Sequence, residues 1–513
     1  MKKKILSSLL AVAMAATMLA GCGNTETTSS GSGSTGSTGS SSTSTASSGS
    51  EATPGTANGT VVRLTRACFN IVPDSARTKE VEDAINAYIG DKIGVQIALT
   101  DISSGEYTDK ANLALTNNEI DLLWTASWES TIGTKDLFAN NAAKDITDLL
   151  PGTDLYASMD TNTWEATKYG GRNYFIPVYK DNVEGYNVMV RHQLVEDYGL
   201  DLSSIKKFSD IEPLLAQISD AGLKYPYLTQ KTAMFYRYYI DSFDFFTGDA
   251  TSNFVAVDRN SNSVVDTVLT PEYEEFCTLM AKWAEAGYVS EDDVTKTTTD
   301  TTTQSQDWGF SWWTDVPNND EADGRYGQDV DIIKVTKSYQ HTDSALGSCY
   351  AIAASASDEV AKAAIDFMGL LYSDSYLANL YTYGIEGKDF TYDGDGYVVK
   401  GGDNTYNHSM WESANATVVT AEASSPYTAQ MYIDFNSSAV ISCANGFQFD
   451  KTPVEDKYAA CQNVFNEYGF VLENGGFASK DVKAKIQEYQ AALDAAGYQD
   501  VLAEFQSQYD AWK

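Results

Sequence analysis

The chain has 513 residues, with 71 acidic against 35 basic side chains and a formal charge of −36. Such a surface repels phosphate backbones and anionic lipid, which argues against nucleic acid and against flat adsorption to a membrane. Only three histidines occur, the isolated His192, His341 and His408, so a histidine-rich metal centre is excluded and histidine-dependent nucleophilic catalysis is disfavoured.

The chain opens Met1-Lys2-Lys3-Lys4, followed by a short apolar stretch from Ile5 to Ala20. A comfortable membrane span needs about 20 apolar residues, so this shorter, small-residue-rich run reads as a secretory signal peptide over residues 1–21. The run ends Leu19-Ala20-Gly21-Cys22, which resembles the lipobox of bacterial lipoproteins. The resemblance implies that Cys22 is lipidated and becomes the mature N-terminus. Residues 22–60 then carry the anchor and a Ser/Thr/Gly-rich linker with no apolar periodicity, expected to be disordered. A flexible chain of that length reaches roughly 30–35 Å. No later apolar run is long enough to span a bilayer. Membrane contact is therefore expected through the lipid alone.

About 450 residues remain, enough for two or three domains. Val61–Phe69 is a β-rich run, residues 77–91 have helical spacing, and Gly94–Leu99 is a second strand. A helix is expected over 106–117, and Ile120-Asp121-Leu122-Leu123-Trp124 is a third strand. This alternation predicts an α/β fold with a parallel sheet, whose ligands sit at the carboxyl ends of strands. Lys144–Leu150 reads as a short capped helix. Tyr174–Val178 and Tyr186–Arg191 read as strands on either side of a crossing, and Trp308–Asp315 as a strand ending in a loop. Asp258–Asn262 alternates oxygen-bearing residues like a calcium loop. Ser263 stands where glycine is needed and Leu269 where glutamate is needed, so a hairpin turn is the expectation. Asp393-Gly394-Asp395-Gly396 is read as a hairpin turn too. The five cysteines after Cys22 (Cys68, Cys277, Cys349, Cys443 and Cys461) are odd in number and widely spaced, and read as buried thiols. There is no Walker A sequence, no nucleophile elbow and no H-E-x-x-H.

The ordered set of segments resembles the extracellular solute-binding proteins of ABC importers, in the carbohydrate-binding class. The resemblance is carried by the lipobox, the strand ending at Trp124, the Asp145–Leu150 helix, Tyr169-Gly170-Gly171-Arg172-Asn173-Tyr174-Phe175-Ile176-Pro177-Val178, the Tyr186 strand and the Phe208-Ser209-Asp210-Ile211 helix start. The stretch from Gly446-Phe447-Gln448-Phe449 to Tyr509-Asp510-Ala511-Trp512 is similar to the C-terminal region of a subset of large bacterial lipoproteins. The family implies a two-lobed periplasmic-binding-protein-like α/β fold with an interlobe hinge and a ligand cleft. By that analogy residues 61–181 form lobe one, with a return segment over 346–389. Residues 182–345 form lobe two, with 390–513 added to it. It also implies permease partners and attachment at the extracellular face of the bacterial cytoplasmic membrane.

Sugars present flat C–H faces and many hydroxyls, so their sites need aromatic plates beside fixed polar groups. On that chemistry the expected ligand-binding residues are Trp124, Trp128 and Glu129 at a strand end, Tyr179, Lys180 and Asp181 at the hinge mouth, and Tyr236 and Arg237. Trp312, Trp313 and Asp315 join them, with one of the two tryptophans facing the cleft and the other the core. Trp411 and Glu412 complete the set. No catalytic residue, metal ligand or cofactor is expected. A peptide or other non-sugar solute, or a secreted glycan-active enzyme, are the alternative readings.

Overall fold

Residues 59–69, 72–245, 253–294, 307–319, 322–323, 326–402 and 406–513 are described by the structure, a computed structural model. The leader, Cys22 and almost all of the Ser/Thr/Gly-rich segment lie outside the described residues. No described helix is long and apolar enough to cross a membrane.

The first lobe starts with the Thr60–Cys68 strand, which lies parallel and in register with Val95–Ser103 from Thr60 opposite Val95 to Cys68 opposite Ser103. Helix Ser75–Ile93 joins them. Asp74 caps it by accepting from the amides of Ala76 and Arg77 at 2.8 and 3.2 Å, and Gly94 ends it at φ +64°. Val81, Ile85 and Ile89 recur every four residues and bury one face of this helix on the sheet. Leu122–Thr125 pairs parallel on the other side of the first strand. The sheet then changes sense: Cys349–Ile352 and Phe175–Pro177 run antiparallel to their neighbours. The expected all-parallel sheet is therefore mixed, because the chain re-enters this lobe from the hinge in the opposite direction.

Lys144–Leu150 is not the expected helix. The backbone amides of Lys144 and Ile146 donate to Ile352 and Asn173 carbonyls at 2.7 and 2.9 Å. Asp145 accepts from the Thr147 amide at 3.0 Å and pairs with Arg172. Bonds to neighbouring segments replace the helical ladder.

The second lobe holds a sheet in the order Val330–Lys334, Tyr186–Arg191, Trp308–Thr314, Tyr225–Leu228. Trp312 lies opposite Val188 and Thr314 opposite Tyr186. Helix Pro271–Glu285, capped by Thr270, buries Phe276, Met280 and Trp283. Val255–Asp258 and Ser263–Asp266 form the hairpin read from the sequence, and the Asp258 carboxylate accepts from the amides of Asn260 and Ser261 at 2.9 and 2.7 Å. Phe390–Tyr392 and Val398–Lys400 form the other hairpin. Cys68, Cys277, Cys349 and Cys461 are buried and Cys443 is partly so.

The cores correct the assignment of everything after residue 390 to lobe two. Phe390, Val398, Tyr406, Ala414 and Val419 pack into the first core with Leu64, Trp124 and Phe367. Only later do Phe447, Tyr458, Leu493, Phe505 and Tyr509 join Val190, Phe276 and Trp283 in the second. The apolar faces of the 390–419 segment find their partners on lobe one, and the chain crosses between lobes a third time after it.

The three crossings lie side by side. Glu184 and Tyr339 exchange backbone hydrogen bonds, both at 2.7 Å, and Tyr339–Gln340 pairs parallel with Val440–Ile441. Asn182 ties all three: its amide donates to Asn436 Oδ1 at 3.0 Å and its side chain donates to the Val178 and Ala345 carbonyls. Asn436 returns a bond to the Lys180 carbonyl at 2.7 Å. The fold is a two-lobed α/β architecture with a triple-stranded hinge.

Candidate functional site

A cavity of about 610 Å³ lies at the hinge end of the two lobes, within the range of small-ligand sites. Trp128, Gly347, Tyr383, Met410 and Trp411 line it from lobe one, and Trp313, Thr314, Val316, Pro317 and Asn318 from lobe two. Lys180 and Asp181 form its hinge wall, and Glu422, Ser425, Tyr427 and Tyr432 come from the third crossing.

Trp128 is the most exposed aromatic of this lining, at 53% of its surface. It sits just past the carboxyl end of the Leu122–Thr125 strand. Its indole N–H donates to the Gly347 carbonyl at 2.7 Å, which fixes the ring plane. Phe69 and Trp124 meet the Trp128 ring edge-on at centroid distances of 6.1 and 5.7 Å, and Trp411 packs on Phe69 at 4.9 Å. The result is a rigid aromatic wall with one large plate free. Also in the lining, Tyr427 and Tyr432 pack at 4.8 Å and nearly at right angles. Asn318 donates to the Pro426 carbonyl at 2.7 Å, linking the lobe-two rim to this strap. Lys180 pairs with Asp181 at 2.9 Å and Glu422 with Lys400 at 2.7 Å.

Of the residues expected from the sequence, the structure brings Trp128, Lys180, Asp181, Trp313 and Trp411 to this cavity. The others lie outside its lining. Trp124 is 1% exposed and supports the wall from behind, its indole donating to Ser348 Oγ at 2.9 Å. Tyr179 is buried in the first core. Glu129 accepts from Thr108 Oγ1 at 2.9 Å and serves the neighbouring helix. Glu412 is 2% exposed and accepts from the Ser409 amide at 2.7 Å, capping its own helix. Asp315 accepts from Lys334 at 2.7 Å and from Ser338, fastening a hinge strand. Trp312, Tyr236 and Arg237 form a cluster inside lobe two: the guanidinium lies 4.0 Å from the Trp312 ring and 4.5 Å from Tyr236. The Trp312 indole donates to the Thr229 carbonyl at 3.2 Å. Trp313 is itself 2% exposed, its ring held edge-on against Tyr326 at 5.6 Å. Trp312 keeps part of its surface exposed, and Trp313 lines the cavity although little of it is accessible.

The sequence reading missed Met410, Glu422, Ser425, Tyr427 and Tyr432. Tyr427 and Tyr432 follow Pro426 in a polar stretch, and nothing local marks them as facing a cleft. Their place is set by the third crossing.

Beside the cavity, the hinge holds a buried ionic cluster. His341 Nε2 lies 2.5 Å from Glu184, which also accepts from the Tyr186 hydroxyl at 2.6 Å. Burial pushes against charge on both. Their mutual hydrogen bond and attraction win, holding the Glu184 carboxyl below and the His341 imidazolium above its usual range. Among the described residues no three His, Cys, Asp or Glu side chains converge as a metal-ligand set.

A hinged pair of α/β lobes with an aromatic cleft defines a solute-binding protein. Residues 83–387 match the family described as bacterial extracellular solute-binding protein, and the chain belongs to that family. Residues 443–513 match a domain of unknown function. A carbohydrate ABC transporter substrate-binding protein of Streptococcus pneumoniae is 24% identical over 457 residues, covering 83% of this chain and 86% of that protein. The crystal structure of an N-glycan transport solute binding protein from the same organism superposes with a TM-score of 0.73 at 21% identity, over 88% of this chain and 98% of that one. An HMO binding, ABC-transporter-associated solute binding protein of Bifidobacterium longum infantis gives 0.60 at 15% identity, over 89% and 99%. At these identities the solved structures speak for the fold.

Proposed function

We propose that the protein captures an oligosaccharide outside the cell, closes its two lobes around it and delivers it to the permease of an ABC importer, tethered by a lipid on Cys22. Binding is non-covalent and no bond of the solute is broken. The observation that carries this reading is the half-exposed Trp128 plate, locked by its bond to Gly347 and backed by Phe69, Trp124 and Trp411. A flat apolar face held rigid beside hydroxyls and amides suits the C–H face of a pyranose and costs little ordering on binding. The sugar-binding names of the relatives support the same class. The triple hinge supplies a closing motion of the kind seen in two-lobed binders.

A thermal-shift screen of the purified protein against glycan and peptide panels tests the proposal. Ligand that binds only the native state raises the melting temperature by mass action. A shift with oligosaccharides and none with peptides is expected. A shift with peptides alone, or sustained release of reducing sugar from a glycan, would overturn it. Lipidation is tested separately, by Cys22→Ala: the variant should leave the membrane fraction, and a variant retained there would refute the anchor.

A further inference from the structure

We infer that the cleft takes uncharged oligosaccharides and turns away acidic ones, such as uronate- or sialate-bearing glycans. The inference rests on the sugar-binding reading and narrows it.

The described lining of the cavity holds three charged side chains, Lys180, Asp181 and Glu422. Each is already paired inside the site. Lys180 Nζ lies 2.9 Å from Asp181 Oδ1 and 3.4 Å from the Asp181 carbonyl. Glu422 Oε1 lies 2.7 Å from Nζ of Lys400, which sits 5.5 Å over the Tyr383 ring behind the lining. All four side chains are at least three-quarters buried, at 13% and 25% exposure in the first pair and 19% and 25% in the second. Both pairs are therefore poorly screened and not readily parted. Among the described residues, the rest of the lining is neutral.

This arrangement sorts ligands by charge. A carboxylate on the ligand needs a cation with a free hydrogen-bonding face, as acidic-motif sites provide with arginine. Here each lysine has its own carboxylate, so an incoming anion meets the like charge of Asp181 or Glu422 in the lining. Parting a pair to free the lysine leaves Asp181 or Glu422 without its partner, a costly state for a buried charge. A sugar hydroxyl faces no such conflict. At Lys180–Asp181 it donates to the carboxylate oxygen and accepts from the ammonium at once, and at Glu422 it donates to the carboxylate, so neither ion pair has to separate. The surrounding field has the same sign, since the whole chain carries −36.

The test is calorimetric titration of the purified protein with two panels at one ionic strength. Lacto-N-tetraose, a mannopentaose and N,N′-diacetylchitobiose make the neutral panel; 3′-sialyllactose, trigalacturonate and trimannuronate make the acidic one. The expected result is binding within the neutral panel and at least tenfold weaker binding of every acidic glycan. An acidic glycan binding more tightly than all neutral ones overturns the inference while leaving the sugar-binding reading intact. Silence from both panels, in a protein that melts cooperatively, overturns that reading and the inference with it. The variant Asp181→Asn with Glu422→Gln removes both lining carboxylates and leaves the Lys180 ammonium in the lining without its paired charge. It should gain at least tenfold toward trigalacturonate, and the gain should fade with added salt. A folded double variant that binds neutral glycans yet gains nothing toward the acidic panel contradicts the guarding role of the pairs. If it does not fold, the wild-type ratio between panels decides.

Discussion

Replacing Trp128 by alanine removes the plate on which the sugar-binding reading rests, and the structure sets the size of the effect. A tryptophan side chain offers about 250 Å² in all, of which 53% is exposed here, leaving roughly 130 Å² for a ligand to cover. At about 25 cal/mol per Å² this is worth up to roughly 3 kcal/mol. A pyranose covers only part of that area, so the expected loss is about 2–3 kcal/mol, or about thirty- to one-hundred-and-fifty-fold in Kd. Fold stability should fall less, because the ring is half in solvent and its bond to the Gly347 carbonyl contributes only about 1 kcal/mol. Trp128→Phe keeps a flat face and should recover most of the affinity. The assay is isothermal titration with the glycan that gives the largest thermal shift, with melting curves for all three proteins. An Ala variant that folds and binds with unchanged Kd would refute the assignment of this wall as the sugar platform.

Three further outcomes follow from the surrounding structure. Trp312→Ala should lower stability by roughly 2–4 kcal/mol, through lost packing and the abandoned Arg237 guanidinium, with Kd changed less than in Trp128→Ala; chemical unfolding paired with titration separates the two. At the hinge, the lowered Glu184 gives stability that is lost as pH falls through its folded pKa. The raised His341 gives stability that is lost as pH rises through its folded pKa. His341→Gln should therefore cost most near pH 5–6, between the two transitions, and least in alkali; melting temperature against pH for both proteins checks this, and a constant difference would refute it. Glu473, buried in the C-terminal region, accepts from the amides of Met234 and Phe235 at 2.8 and 3.0 Å, yet burial pushes its carboxyl up to about 7. A raised carboxyl favours the folded state while protonated, so this group's contribution is lost as pH rises from about 4.5 through 7, by roughly 3 kcal/mol. Glu473→Gln should flatten that part of the stability profile, measured by urea unfolding between pH 4.5 and 8.

The sequence carried the fold well where patterns were local. The Thr60–Cys68 and Val95–Ser103 strands and the Val81, Ile85, Ile89 stripe were plain, because period and caps lie within one segment. The Asp258 and Asp393 turns were legible for the same reason. Lys144–Leu150 was not, because bonds to distant strands decide its backbone. Nor was the return of 390–419 to lobe one, which depends on which apolar face it meets. In the site, Trp128 was legible from its place past a strand end, where ligands gather on such sheets. Trp312 and Glu412 looked the same in chemistry, but Arg237 and the Ser409 amide use them internally. Aromatic and acidic residue types suggest a sugar site; only the third dimension tells which of them are left free.

The C-terminal region that matches a domain of unknown function shares one core with lobe two. Tyr458, Leu493, Phe505 and Tyr509 pack with Phe276 and Trp283. It completes the lobe, and through Glu473 it braces the segment that carries Arg237.

Hydrogen–deuterium exchange with and without a saturating bound glycan tests the account at its centre. Protection is predicted around Trp128, Lys180–Asp181, Trp313–Asn318, Ser409–Trp411 and Ser425–Tyr432, with the hinge crossings slowed as the lobes close. Protection confined to the outer face of lobe two, around Lys207–Ser209 and Glu274–Lys282, with these segments unchanged, would contradict it.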